Sequence, residues 1–417
     1  MKPPRSVLLS SALALGPCAA PLLAQIPDQT AGFLDFPIAQ VGGEIRGIAV
    51  SPSGLLYTVD ATDRIIETDP VTGAQQTVMS GLPISAGAML RFGDGRPLTG
   101  TDLLLVDWNT EETAPCCGGR VLRIDPATGA YSVIVTANPT VSGNADPYGI
   151  ALGPGGAFGD DIYVTDYQGF STITPSLFRV DSNGVATQFV SDPQQWTHTA
   201  EPQYVEFGPA SFGGDLFVTD RVSQTLWRID AAGALSPFVT GHPFLAVATP
   251  NASVWGDYLY LLVQSAGTTD LYRVDPAGNL EVVVAGIPAS VPRAGLVFRP
   301  DGKLLYLGVG NRVYVVVPAS LQLAAAPNPA FVGQTVQISA AGGVAGQPVV
   351  LVSDRVLTYA FSPPAVLAFG GMDATGQWTL QQPVTTILAG LDVRLQAVSL
   401  DAAGDFNTTP KLWVQFQ

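Results

Sequence analysis

One phrase recurs along this chain and restricts its fold more than any other feature. It consists of an apolar alternating strand, a short turn, a second strand ending in Asp, a gap, then R-[IV]-D and a glycine turn. The copies read LLYTVD ending at Asp60 with ETDPVTG, LLLVDW around Asp107 with RIDPATG, IYVTD at Asp166 with RVDSNG, and LFVTD at Asp220 with RIDAAG. A fifth copy, LYLLV with RVDPAG, lacks the strand-end Asp, and a sixth, from Lys303 to Pro318, is shortened. The Asp of the second phrase falls at 69, 125, 181, 230 and 275, in steps of 56, 56, 49 and 45 residues. Each step holds four short strands with their turns, the size of one blade of a β-propeller, and self-similarity on this scale marks a repeat architecture.

Six copies predict a six-bladed β-propeller. The last runs out after three strands, and the apolar segment from Gly32 to Gln40 is expected to supply its outer strand and close the ring. The blades open alike, with D-P-Y-G-I at 146–150, E-P-Q-Y-V at 201–205, H-P-F-L-A at 242–246 and P-R-A-G-L at 292–296. Proline suits the first residue of a strand, where no ladder donor is lost, so these phrases are expected to start the inner strands lining a central channel. After Pro318 the pattern changes to strands of period 2 between Gly/Pro turns, which predicts an immunoglobulin-like β-sandwich over 321–417. With Gly 45, Pro 34 and only 13% charged residues, the composition agrees with an all-β chain with few helices.

The first 24 residues read as a secretory signal peptide: Lys2 and Arg5, an apolar run from Val7 to Leu15, then small residues up to Ala24. The expected mature chain is then the propeller (25–320) plus the sandwich, secreted or periplasmic and monomeric. No later stretch is apolar for long enough to span a bilayer. A formal charge of −15 argues against nucleic acid as a partner and leaves a small molecule, a carbohydrate or an extracellular protein. Cys116 and Cys117 are adjacent; in an oxidising compartment they either close a vicinal disulfide or remain ordinary loop thiols.

The repeated [IL]-[YF]-V-T-D … [LI]-x-R-[IV]-D-x-x-G resembles the NHL, gluconolactonase and streptogramin-lyase superfamily of six-bladed propellers over roughly residues 30 to 318. The resemblance implies the fold, and a choice among lactonase, lyase and plain binding module. Its lactonase branch implies a divalent cation at the channel mouth, with Glu44 in G-G-E-I-R-G-I-A-V standing for the first ligand. Glu44 and Asp146 are the candidate ligands should Ca²⁺ bind; no other cofactor is predicted. Tyr148 and Gln203 stand where that branch needs other residues, and its P-N-G phrase is absent. The lyase branch relies on channel histidines, of which only His242 is well placed here.

No G-x-S-x-G elbow, H-E-x-x-H pair, phosphate-binding glycine loop or EF-hand loop occurs. Function therefore falls to the channel mouth, where blade alignment gathers Glu44, Arg46, Asp146, Tyr148, Glu201, Gln203, His242 and Arg293. Glu201 and His242 are the candidate general acid/base pair. The strand-end aspartates are expected to cap turns, with Arg123, Arg179, Arg228 and Arg273 as partners. Trp108, Tyr167, Trp196 and Trp255 are the candidates for a carbohydrate-stacking platform. The leading reading is a secreted binding scaffold of the NHL type. The alternative is a propeller enzyme, a lactonase-like hydrolase or a lyase, acting on a small extracellular substrate. A quinoprotein sugar dehydrogenase is a third class, prompted only by the paired cysteines.

Overall fold

In the computed structural model the described residues are 28–417 apart from 30–32, 71, 81–87, 108–119, 137–146, 167–174, 191–195, 197–200, 252, 289–292, 319–321, 344, 357–358, 386–387, 389–390, 401–405 and 409–411. They form strands joined by turns, with three 3₁₀ turns and no α-helix among them.

Up to Pro318 the described strands assemble into six antiparallel sheets in chain order. Each of the first four is a meander of four consecutive strands. The first runs Ile45–Val50, Leu56–Asp60, Arg64–Thr68, Gln75–Ser80. The innermost strands are Ile45–Val50, Ala88–Phe92, Pro147–Leu152, Pro202–Phe207, Phe244–Ala248 and Ala294–Phe298, and each touches the next, the last returning to the first. The sixth sheet has three consecutive strands plus Phe33–Gln40, which pairs antiparallel with Arg312–Pro318 from Phe33↔Pro318 to Gln40↔Arg312. Asp28–Gln29 similarly adds to the outer strand of the fifth sheet.

The repeated residues account for how the sheets are held. Inner strands approach so closely that a Cβ on Gly149 would sit 2.1 Å from the carbonyl oxygen of Gln203, and one on Gly295 2.4 Å from Ile48 Cγ2. Aromatic wedges fill the wider gaps. Phe158 and Trp255, on two of the 3₁₀ turns, are buried, and their carbonyls accept from the hydroxyls of Tyr163 and Tyr260 at 2.7 and 2.8 Å. Phe158 and Tyr163 then meet Phe207 of the next sheet edge-on, and Trp255 and Tyr260 meet Phe298.

The arginines of the second phrase do not pair with the strand-end aspartates as expected. Arg123, Arg179 and Arg228 bind Asp102, Asp161 and Asp215, at the opposite end of the preceding strand, and Arg273 binds Glu281. The register explains this: Arg179 lies opposite Tyr163 and Arg228 opposite Phe217, each one residue into the strand that the acid precedes. The aspartates of the second phrase close turns. Asp181 accepts from the N–H groups of Asn183 and Val185, and Asp275 from those of Ala277 and Asn279.

Beyond Pro318 a three-stranded sheet (Gln322–Ala326, Thr335–Ala341, Gln377–Pro383) accompanies a five-stranded one built around Pro348–Val356 and Leu391–Leu400. Val336, Ile338 and Trp378 of the first share one core with Val349, Leu351, Leu395 and Val414 of the second, separate from the cores of the six sheets.

Deleting residues 1–40 strips the outer strand from Arg312–Pro318, whose Val313, Val315 and Val317 are buried. The unfolding midpoint followed by circular dichroism is expected to fall by about 10 °C or more, and the truncated chain to associate through the opened edge.

Candidate functional site

Register places the start of each inner strand opposite the end of its neighbour: Ile45 faces Asp60, Ala88 faces Asp107, Pro147 faces Asp166 and Pro202 faces Asp220. All of these lie at one end of the ring, the channel mouth. In the first, third and fourth sheets the inner strand is bulged just after this point. In the third and fourth sheets the threonine of the V-T-D phrase takes up the displaced backbone groups. Thr165 Oγ1 accepts from Gly149 N–H at 2.7 Å and donates to the Gln203 carbonyl of the next sheet at 2.6 Å, while Thr219 Oγ1 accepts from Tyr204 N–H at 3.0 Å.

The strand-end aspartates are structural. Asp60 is fully buried and accepts from the N–H and hydroxyl of Thr62 and from Arg64 at 2.6–2.9 Å. Burial alone would raise its pKa, but these hydrogen bonds outweigh it and hold the carboxyl below the usual range. Asp107 is paired with Arg120 at 2.9 Å. Asp220 Oδ1 accepts from the N–H groups of Glu201, Val222 and Ser223, which fixes the backbone at Glu201.

Side chains from several sheets converge above this frame. Arg46 is half-buried, 3.7 Å from Asp63, and its pKa is lowered, first by burial and next by the charge of Arg293. The Arg293 guanidinium carbon lies 5.9 Å from the ring centre of Tyr148, which belongs to the sheet three steps around the cycle. Tyr148 meets Tyr204 edge-on at 6.1 Å, and the Tyr204 hydroxyl donates to the Arg46 carbonyl at 3.2 Å. The two tyrosines are 2% and 1% exposed. Further along the inner strands Arg91 and Glu206 span the ring as an ion pair at 2.8 Å.

Glu44 lies within electrostatic reach of Arg46 and Tyr148. Glu201 is bound by Arg221 at 2.7 Å, and Gln203 Nε2 reaches it at 3.5 Å. His242 stands apart: its ring packs on Phe244 and Tyr272, with centroids 5.9 and 5.7 Å away, and no hydrogen bond joins it to Glu201 among the described residues. Asp146, Cys116, Cys117, Trp108 and Tyr167 lie outside the described residues. Trp196 and Trp255 are 0% and 1% exposed, so neither offers a face to a sugar; the Trp255 indole donates to the Gly302 carbonyl at 2.6 Å.

Buried polar atoms at the mouth with no hydrogen-bond partner among the described residues include the Tyr148 hydroxyl, Gln203 Oε1 and Asp220 Oδ2. Burial pushes the Tyr148 pKa up to about 12 against the opposing pull of Arg293, so the phenol stays protonated and a donor at neutral pH. No group of three His, Cys, Asp or Glu side chains gathers among the described residues, which do not include the candidate ligand Asp146.

Sequence reasoning missed Asp63, Arg221 and Tyr204 at the mouth, and the Arg91–Glu206 pair within the channel. A signal for that pair exists, since each precedes an F-G dipeptide, Phe92-Gly93 and Phe207-Gly208, and so occupies the same register on its strand.

No protein-family model matches the sequence, and no curated protein matches it. Solved structures do. A gluconolactonase from Xanthomonas campestris aligns at 14% identity with a TM-score of 0.52, covering 70% of this chain and 95% of that one. A Bacteroides thetaiotaomicron protein of unknown function aligns at 11% and 0.51, covering 70% and 76%. A streptogramin B lyase aligns at 13% and 0.47, covering 69% and 98%. The likeness carries the fold alone: this is an all-β chain with a β-propeller of the kind seen in gluconolactonases.

The raised Tyr148 pKa has a stability consequence. Below pH 10 the phenol is protonated in both folded and unfolded chains. Between about pH 10 and 12 the unfolded chain loses this proton while the folded one keeps it, so stability falls as pH rises. In alkaline titration followed by tyrosinate absorbance, Tyr148→Phe is expected to remove one late-titrating group and to flatten the loss of stability across that interval.

Proposed function

We propose that this chain is a secreted, monomeric, six-bladed β-propeller enzyme over residues 25–320, carrying an immunoglobulin-like module over 321–417. On this reading it hydrolyses a small lactone or ester at the mouth of its channel. The observation that carries the reading is the convergence of Glu44, Arg46 and Arg293 above the floor of Tyr148 and Tyr204. On this reading a carboxylate, two guanidinium groups and a protonated phenol act together on one small molecule at the mouth. The X. campestris gluconolactonase shares the fold and supports the reaction class.

In the hydrolysis proposed, water attacks the lactone carbonyl while the Glu44 carboxylate accepts the proton that the water gives up. Negative charge gathering on the carbonyl oxygen is met by Arg46 and Arg293. Collapse breaks the ring C–O bond, and the departing oxygen takes the proton back from Glu44, leaving a hydroxy acid. Glu201 orders the rim through Arg221. A second reading, a binding module without turnover, is favoured by the way Glu201 is tied to Arg221 and His242 is packed away from it.

The test is proton release on adding glucono-1,5-lactone and simple lactones to the full chain. Glu44→Gln is expected to lower kcat/KM about 100-fold, with an unchanged unfolding midpoint. A wild-type chain that binds these compounds without turning them over establishes the second reading instead.

A further inference from the structure

We propose that a cleft at the seam of the ring, on the end away from the channel mouth, is a binding site for a neutral mono- or disaccharide. The proposal is independent of the reaction read at the mouth.

The cleft lies between two turns of the first sheet, around 52–55 and 69–70, and the turn of the sixth sheet at 299–303. These turns join the strand ends opposite those that form the mouth. In the third and fifth sheets the turn after the inner strand carries an aromatic wedge, Phe158 or Trp255, packed on Phe207 or Phe298 of the next sheet. The sixth sheet has R-P-D-G-K-L at that place, with no 3₁₀ turn and no aromatic residue. Its turn leaves a cleft of about 410 Å³ against the first sheet, within the range of roughly 300–1,000 Å³ typical of small-molecule sites. A Cβ built on Gly54, in the cleft wall, would meet nothing within 4 Å.

Both walls are held in place by the protein itself. The Gly302 carbonyl accepts from the Trp255 indole at 2.6 Å and the Pro300 carbonyl from the Asn251 amide at 2.7 Å, so the fifth sheet pins the turn of the sixth. In the first sheet Ser51 Oγ accepts from Leu55 N–H at 3.0 Å and bonds the Ser53 hydroxyl at 2.8 Å. Walls set in advance spare a ligand the cost of ordering them.

The lining decides the ligand's chemistry. Pro52, Leu55, Pro70 and Pro300 supply apolar surface, three of them as stiff rings. Four charged side chains complete the cleft, and their charges cancel: Asp69 and Asp301 against Arg299 and Lys303. They are engaged within the protein. Asp301 accepts from Arg299 at 2.7 and 2.5 Å and from Lys303 N–H at 3.0 Å, and the Lys303 charge acts on it as well. Asp69 accepts from the Thr72 hydroxyl at 2.7 Å. A charged ligand therefore gains no net attraction here. A hydroxyl both donates and accepts, and a carboxylate can accept several hydrogen bonds at once, so hydroxyls add to this rim without displacing its own pairs. A sugar ring carries such hydroxyls around its edge and a C–H face that lies against proline rings.

The experiment is calorimetry on the full chain, with glucose, N-acetylglucosamine, maltose and cellobiose as neutral probes and gluconate and glucosamine as charged controls. At least one neutral sugar is expected to bind. Pro52→Trp, which sets an indole into the cleft from an exposed position, is expected to weaken that binding about tenfold or more. Lys303→Met is expected to weaken it about fivefold, and it serves if the tryptophan variant fails to fold by circular dichroism. Glu44→Gln, at the mouth, is expected to leave it unchanged. The proposal falls if no neutral sugar binds, or if Pro52→Trp and Lys303→Met both bind it as the wild type does. It falls equally if Glu44→Gln alone weakens binding, which places the sugar at the mouth, or if a charged control shows the tighter binding sensitive to Pro52→Trp.

Discussion

Each sheet up to Pro318 has two apolar faces and, among the described residues, no α-helix to cover either. It can bury them only against its neighbours, and the run of neighbours has no loose end only if it comes back to its start. That constraint explains the cyclic contact of the inner strands and the glycines at 149 and 295 where those strands nearly touch. It also explains why the sixth sheet borrows Phe33–Gln40 from the far end of the chain. Six separate apolar surfaces become a set of shared cores, and the polar ends of the strands are left at the two openings.

What occupies the mouth follows from how the inner strands begin. A bulge there would strand backbone groups in a buried place, and the threonine of each V-T-D phrase answers it with a hydroxyl that both accepts and donates. The aspartate that follows gathers the N–H groups of the adjoining turn. Thr165 and Asp220 between them fix the backbone at Gly149, Glu201 and Gln203, so the side chains there are carried by two adjacent sheets bonded to each other.

The architecture was legible in the sequence because its determinants repeat: strand length, the strand-end aspartate and the Asp-x-x-Gly turn recur at steps of 56, 56, 49 and 45 residues. Pairings between repeats were less so. The arginines were matched to the nearest conspicuous acids, whereas register hands them Asp102, Asp161 and Asp215, which lie before the strand. Trp255 read as a surface aromatic because its equivalence to Phe158 and Phe212 shows only when the F-G and W-G turns are aligned; all three wedge between sheets. At the mouth, blade alignment set Glu44, Arg46, Tyr148, Gln203 and Arg293 at the starts of inner strands. It could not reveal that Tyr204 reaches across the ring to the Arg46 carbonyl, since that depends on a rotamer set by the opposite side of the ring.

The strand Phe33–Gln40 pairs with a partner that follows it by some 280 residues along the chain. An early-made segment must therefore wait, unpaired, while every intervening sheet is synthesised, and the ring can be sealed only after Pro318 has emerged. The last event in assembly is then the meeting of the two ends, and a chain interrupted anywhere before that point carries an open, strand-hungry edge. Such an edge is a natural handle for whatever surveys unfinished proteins, and it disappears at the moment the molecule becomes complete.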